Sequence, residues 1–150
     1  MQKHTQIPPI LLVRAAALWL SCRVNFPDDQ IGQIIEDGGE FEIFRKVVVK
    51  PAGQQSILPG AIGKVKFRFA KFSNSTNKSL SKIPIPFIIA QPGFISKTWL
   101  YSDSTSIFMG FYEWMSVEEA EQYWESFPMN LMKRRSVPES LNYEVIKVDS

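Results

Sequence analysis

The run Ile107-Phe108-Met109-Gly110-Phe111-Tyr112-Glu113-Trp114-Met115 constrains the fold of this chain more than any other stretch. It is rich in β-prone side chains. As a strand it points Ile107, Met109 and Phe111 to one face, and Phe108, Tyr112 and Trp114 to the other. A sheet with helices on one side and water on the other shows polar alternation. Two apolar faces require two covers: helices on one side and, on the other, either a partner's sheet or the chain's own N-terminal segment. A homodimer formed through the sheet is expected.

The segments around this strand supply the rest of a layered α+β unit. Phe94 to Tyr101 is a second β-rich run, and Ser102-Asp103-Ser104-Thr105-Ser106 between the two reads as a five-residue hairpin loop. Ser116 followed by Glu119 forms a capping box, and Val117, Ala120, Trp124 and Phe127 repeat at helical spacing. The helix is expected over Ser116–Phe127, stopped by Pro128. Ala61 to Phe72 alternates Val65, Phe67, Phe69 with Lys64, Lys66, Arg68, which predicts a strand. Ser73 to Ser81 reads as polar loop. Its two Asn-x-Ser/Thr matches, at Asn74 and Asn77, are read as chance. Pro84 and Pro86 leave room only for a short helix from Pro86. Met129 to Arg135 suits another helical turn or two, with Lys133, Arg134 and Arg135 complementing its C-terminal dipole. Leu141 to Val148 is a last strand. The order from residue 60 to 150 is β-α-β-β-α-β, a ferredoxin-like sheet with helices on one face.

Residues 1–59 read as an extension. Ile10 to Cys22 is apolar apart from Arg14 and Ser21, with prolines at its start, and is expected as a helix over about 10–22. It is short for a membrane span of ~20 residues. Three readings stay open: a helix packed on the domain or a partner, a helix lying on a membrane surface with Lys3, Arg14 and Arg23 toward the headgroups, or a secretory or lipoprotein signal ending at Cys22. Without a persuasive signal the protein is expected to be cytoplasmic, with peripheral membrane contact as the variant. A short acidic helix is expected from Asp28 to the Gly38-Gly39 pair, a strand over about 41–50, and a loop over Pro51–Gly60 that marks the domain boundary.

Several chemistries are disfavoured by composition. The single cysteine, Cys22, excludes an internal disulfide and a Cys-based zinc site, and is read as an inert buried thiol. The single histidine, His4, leaves the domain without an imidazole base or ligand, so no metal site is expected. A net charge of +2 is too small for strong nucleic-acid binding. The strand 107–114 also lacks the basic lead and alternating aromatics by which RNA-recognition modules stack bases. No Asp or Glu occurs from Pro51 to Ser102, while Lys64, Lys66, Arg68, Lys71, Lys78, Lys82 and Lys97 do. Glu42, Glu113 and Glu144 are expected to pair with this basic stretch across the sheet. Arg68, flanked by Phe67 and Phe69, is read as a buried cation paired with Glu113 or, alternatively, as an anchor for a ligand carboxylate.

Gln91-Pro92-Gly93-Phe94, the strand Ser96-Lys97-Thr98-Trp99, the strand Phe108–Trp114 and the Ser-x-x-Glu helix through Tyr123-Trp124 together resemble the dimeric α+β barrel superfamily, in particular its uncharacterised and antibiotic-biosynthesis-monooxygenase-type members. The resemblance covers roughly Gly60 to Val148. It implies a homodimer with facing sheets and an apolar pocket in each subunit between sheet and helices, able to take a small aromatic or quinol-type ligand without a cofactor. No residue matches a catalytic motif of that group. A pocket needs aromatic walls and one or two convergent polar groups. The residues expected to form it are Trp99, Tyr112, Trp114 and Trp124, with Arg68 or Lys97 as the cation for an acidic or phenolic ligand. The alternative function is a non-catalytic dimer docked at a membrane surface through residues 10–22.

Overall fold

A computed structural model describes residues 8–51, 53 and 57–149. The chain forms α1 (Pro8–Leu20), β1 (Val24–Asn25), β2 (Ile34–Glu36), β3 (Glu40–Val49), β4 (Ala61–Phe67), α2 (Asn74–Leu80), α3 (Ile85–Ile89), β5 (Phe94–Ser102), β6 (Ile107–Trp114), α4 (Val117–Tyr123), α5 (Phe127–Arg135) and β7 (Asn142–Lys147). All strands join one antiparallel sheet in the order β1-β3-β5-β6-β4-β7, with β2 pairing the other end of β3. The strands β4, β5, β6 and β7 carry the ferredoxin-like arrangement expected from the sequence, with β6 between the two parallel strands of a split βαβ unit. β3 is added along the free edge of β5, so the sheet runs continuously across residue 60.

The strand predictions hold because alternation and turn chemistry agree locally. β5 and β6 pair from Phe94↔Trp114 to Ser102↔Ile107, joined by the serine-rich turn. On the helix side, Phe108, Tyr112 and Trp114 of β6 join Val65 and Phe67 of β4 and Trp99 and Tyr101 of β5 in one core. Ile88 and Ile89 of α3 and Ala120 and Tyr123 of α4 close it from the other layer.

The second apolar face has a cover from within the chain. The turn between β2 and β3 folds across it, and Asp37 reaches Lys64 Nζ at 2.8 Å and Lys66 Nζ at 3.0 Å on β4. Phe41 and Ile43 thereby bury Leu100 and Met109 in a small cluster. Phe111 and Ile146 stay exposed, at 37% and 40%, so this cover is partial.

Several expectations are corrected. No helix forms from Asp28. Turns at residues 28–33 lead into β2, because the strand-forming Ile34 and Ile35 find a partner edge on β3. The polar stretch 73–81 is a helix, α2, not a loop: Ser73 caps it by accepting from the Thr76 amide, and its buried face is supplied by a polar residue, Asn77. Asn77 donates to the Lys71 carbonyl at 2.9 Å, so a structural role accounts for it. Pro128 does not end a helix but lies in the first turn of α5, behind the Ser126 cap, where a missing N–H costs nothing; α4 ends earlier, at Tyr123. β4 ends at Phe67, which leaves Arg68 outside the strand. Among the described residues, Glu144 is the one of the three expected carboxylates that meets a lysine, at 3.8 Å from Lys64; Asp37 holds Lys64 and Lys66 more closely, while Glu113 accepts a hydrogen bond from Ser96.

α1 starts at Pro8, two residues before the expected start, ends at Leu20, and lies against α3 through Leu11 and Ala15. Leu18 also packs partly on that core, while Ile10, Leu12, Val13, Trp19 and Leu20 face outward, with Val13 70% and Leu20 85% exposed. Cys22 is not in the helix: it adopts φ +57° in the following turn and is exposed, because the chain must reverse to bring Val24 beside Val49. Among the described residues no helix is long and apolar enough to cross a membrane. His4 and Lys3 lie outside the described residues.

Candidate functional site

Between the sheet and the helices lies a cavity of about 300 Å³, within the ~300–1,000 Å³ of small-molecule sites. Its sheet wall is Phe67 on β4, Lys97 and Trp99 on β5, and Phe108, Gly110 and Tyr112 on β6, with Phe69 just beyond β4. Opposite are Leu80, Ser81, Ile83, Pro84 and Ile88 from α2, α3 and the link between them. Tyr123 of α4 and Pro128, Leu131, Met132 and Arg135 of α5 complete it. Phe69 meets Phe67 and Phe108 edge-on, its centroid 4.9 Å from that of Phe108, while Phe67 and Phe108 stack on each other.

Gly110 keeps the floor open. A Cβ there would stand 2.9 Å from the Tyr112 ring, 3.0 Å from Val65 Cγ1 and 3.2 Å from Lys97 Cε. The absence of that carbon lets the Lys97 side chain lie across β6 within the sheet-helix interface.

Lys97 is the unusual group. It is 7% exposed, and its Nζ lies 4.5 Å from the Trp99 ring centroid and 4.7 Å from that of Tyr112. Among the described residues no carboxylate or hydrogen-bond acceptor pairs with it. A buried lysine favours its neutral form. Burial, and then the positive charge of Arg45, pull the Lys97 amine down to about 7 from its ordinary 10.5. Arg45 is held by Ser81 Oγ and, at 3.1 Å, by the Lys78 carbonyl, with its guanidinium 5.5 Å above the Trp99 ring.

Two tyrosines and an arginine supply the other polar atoms. The Tyr112 and Tyr123 hydroxyls are 3.0 Å apart, and burial drives both upward, so they stay protonated across the neutral range. Arg135 Nη2 donates to Asn77 Oδ1 at 2.8 Å while its guanidinium lies 4.7 Å from the Phe69 ring centroid; partial burial lowers it. The cavity thus combines aromatic walls, a low-lying amine, a phenol pair and one guanidinium. Among the described residues no group of three or more His, Cys, Asp or Glu side chains converges as a metal site would require.

Of the six residues expected at the pocket, Lys97, Trp99 and Tyr112 line this cavity. Arg68 lies at the surface, its Nε donating to the Thr105 carbonyl at 3.1 Å, because β4 ends one residue before it. Trp114 is fully buried in the core beside Phe94 and Tyr123, with an indole N–H that has no partner among the described residues. Trp124 stacks on Tyr143 at 5.3 Å under the Lys133 ammonium and faces a shallow hollow between α4 and β7. Tyr123 and Arg135 were not singled out from the sequence. The i, i+3 pair Ala120 and Tyr123 marks the buried stripe of α4 and could have pointed to Tyr123. Nothing local distinguishes Arg135 from Lys133 and Arg134 beside it.

No protein-family model matches the chain, and no curated protein matches it in sequence. Solved structures do match in fold. A heme-degrading enzyme from Listeria monocytogenes superposes with a TM-score of 0.54 at 10% identity, covering 77% of this chain and 74% of its own. An uncharacterised ferredoxin-fold protein related to antibiotic biosynthesis monooxygenases, from Listeria monocytogenes 4b F2365, superposes with a TM-score of 0.55 at 10% identity, covering 79% and 69%. The ferredoxin-like α+β fold and its likeness to the monooxygenase-type group, expected from the sequence, are borne out. At this identity the likeness concerns fold alone.

Proposed function

We propose that this chain is a small-molecule-binding protein of the monooxygenase-like kind, which holds a phenolic or quinol-type aromatic ligand in the cavity between sheet and helices. Lys97 carries this reading: an amine without an acceptor, at the wall of an otherwise apolar, aromatic chamber. A cavity of ~150 Å³ accommodates benzene, so about 300 Å³ suits a ligand of one or two rings.

A neutral phenol enters such a chamber at low desolvation cost. The Lys97 amine, neutral for much of its population near pH 7, accepts the hydroxyl proton, and the resulting ammonium is stabilised by the phenolate and by the faces of Trp99 and Tyr112. The phenolate is the electron-rich form that reduces dioxygen: a ring methylene and O2 give a ring carbonyl and water, the substrate supplying the electrons. The Tyr112–Tyr123 pair orients a second oxygen of the ligand. Binding of planar phenols and quinols, followed by tryptophan quenching alongside oxygen consumption, tests this in the wild type and in Lys97→Met. Saturation below about a millimolar, equivalent to ~4 kcal/mol, and its loss in the variant are expected. No saturation at that limit overturns the reading.

The same resemblance supports a homodimer, with the exposed Phe111 and Ile146 beneath a partner's sheet. Light scattering showing a dimer that Phe111→Asp converts to monomer would support it, since an unpaired buried charge is costly. A monomer at tens of micromolar (on the order of saturation for micromolar affinity) opposes it. A second reading rests on α1, whose outward face carries Val13, Trp19 and Leu20 with Phe26 packed 5.7 Å from Trp19. It describes a cytoplasmic protein in peripheral contact with anionic membrane. Flotation with vesicles containing anionic lipid tests it, and protein left in the bottom fraction refutes it.

A further inference from the structure

Carbonyl chemistry at an amine has three requirements: an unprotonated nitrogen at neutral pH, a site dry enough to slow hydrolysis of the adduct, and a proton donor for the leaving hydroxyl. Lys97 and its surroundings meet all three. We propose that Lys97 is a carbonyl-capturing amine, condensing with an aldehyde or ketone of one or two rings, or with a β-dicarbonyl compound, inside the sheet-helix cavity. The proposal rests on the same cavity as the phenol-binding reading but asks for a covalent bond that reading does not need.

The geometry argues for it in several ways. Among the described residues no carboxylate pairs with the amine, so no anion holds a proton on it. A desolvated lysine near another cation is the arrangement that activates an amine as a nucleophile. The charged and titratable side chains that line the cavity beside Lys97 are Tyr112 on β6, Tyr123 on α4 and Arg135 on α5, with Arg45 on β3 against the Trp99 ring; the glutamates of β6 and α4 are not part of its lining. None of the lining groups is a carboxylate, and all are neutral or positive at pH 7. Burial first, and then the charge of Arg45, disfavour the ammonium and leave the amine at about 7, poised at the working pH. Trp99 and Tyr112 lie face-on to the nitrogen at 4.5 and 4.7 Å, where the same rings stabilise the protonated imine once formed.

The step balances without an oxidant or reductant. The Lys97 nitrogen adds to the carbonyl carbon, a proton moves from nitrogen to oxygen, and the carbinolamine loses its hydroxyl as water when a phenol of the Tyr112–Tyr123 pair lends a proton. The product is an iminium that returns its proton to the phenol pair or keeps it. With a β-dicarbonyl the corresponding product is a conjugated enaminone plus one water.

The test uses the full chain and pentane-2,4-dione, whose enaminone absorbs in the near ultraviolet. The expected result is one equivalent of adduct, mapped by peptide mass spectrometry to Lys97, with a half-maximal rate near pH 7 and no such phase in Lys97→Met. Methionine matches the length of the lysine stem, and circular dichroism checks that the variant is folded. Adduct spread over surface lysines in the wild-type peptide map overturns the proposal whatever the variant does. So does a rate that keeps climbing toward the ordinary lysine range. Phenol quenching on the same samples reports the binding reading separately: quenching with no Lys97 adduct removes the carbonyl chemistry alone, and adduct with no quenching removes the phenol reading alone.

Discussion

Replacing Lys97 by Met should stabilise the protein, and by an amount that depends on pH in a defined direction. The folded chain holds the amine near 7 and the unfolded chain near 10.5. Between these values the unfolded state carries a proton that the folded state lacks, so wild-type stability rises with pH across the window. Below about 7 both states are protonated and the full cost of the buried ammonium is present; above about 10.5 none remains. Each full pH unit contributes about 1.4 kcal/mol and the slope is halved where the folded amine is half titrated, so the advantage of Lys97→Met should be nearly flat from pH 6 to 7 and shrink by roughly 2 kcal/mol from pH 7 to 9. Taking the difference between variant and wild type cancels the other lysines. Staying below pH 9 avoids the three raised tyrosines, Tyr112, Tyr123 and Tyr143, which act in the opposite direction near and above their ordinary value of 10. Urea unfolding of both proteins at half-unit intervals reads the effect as a shift in midpoint at constant slope. A gap independent of pH over 6 to 9 would falsify the assignment of Lys97 as a desolvated, unpaired amine.

Gly110→Ala should destabilise by about 1–3 kcal/mol and weaken phenol quenching, because the added carbon meets Tyr112, Val65 and Lys97 at 2.9 to 3.2 Å; calorimetry with the quenching titration checks both. Asn77→Ala should cost about 1–3 kcal/mol, since it removes the buried donor to Lys71 and the acceptor for Arg135, and thermal unfolding with and without a phenolic ligand would show both the loss and a weaker cavity. Asp37→Asn should cost under about 1 kcal/mol, the pair being partly solvated. The hydrogen bonds from Lys64 and then Lys66 hold the Asp37 carboxyl below its ordinary 3.8, so its contribution is present above that value and is lost as pH falls through the lowered one. Faster amide exchange in β2 and β3 of the variant at pH 7, by a margin that narrows as pH falls below 3.8, is the expected signature.

What the sequence determined was everything that depends on neighbours along the chain. Alternation placed β4 and β6, and the serine-rich turn joined β5 to β6. The Ser116–Glu119 box started α4, where Ser116 Oγ accepts from the Glu119 amide as written in the code. These signals suffice for the ferredoxin-like order because each element's hydrophobic period states which face it must bury. Elements whose support comes from elsewhere were not legible. α2 has a buried face made of one asparagine, satisfied by Lys71 and Arg135, the latter far away along the chain. The outer strand β3 looked like an appendage, yet it pairs Val47 with Lys97 and Arg45 with Trp99. In the four-stranded sheet alone β5 would be an edge, and Lys97 could reach solvent over it. With β3 alongside, that exit is closed and a second cation is brought close. A lysine in the sequence is only an ammonium on a flexible stem. Tertiary structure makes it an amine, because its protonation depends on the water and charge that distant segments remove or supply.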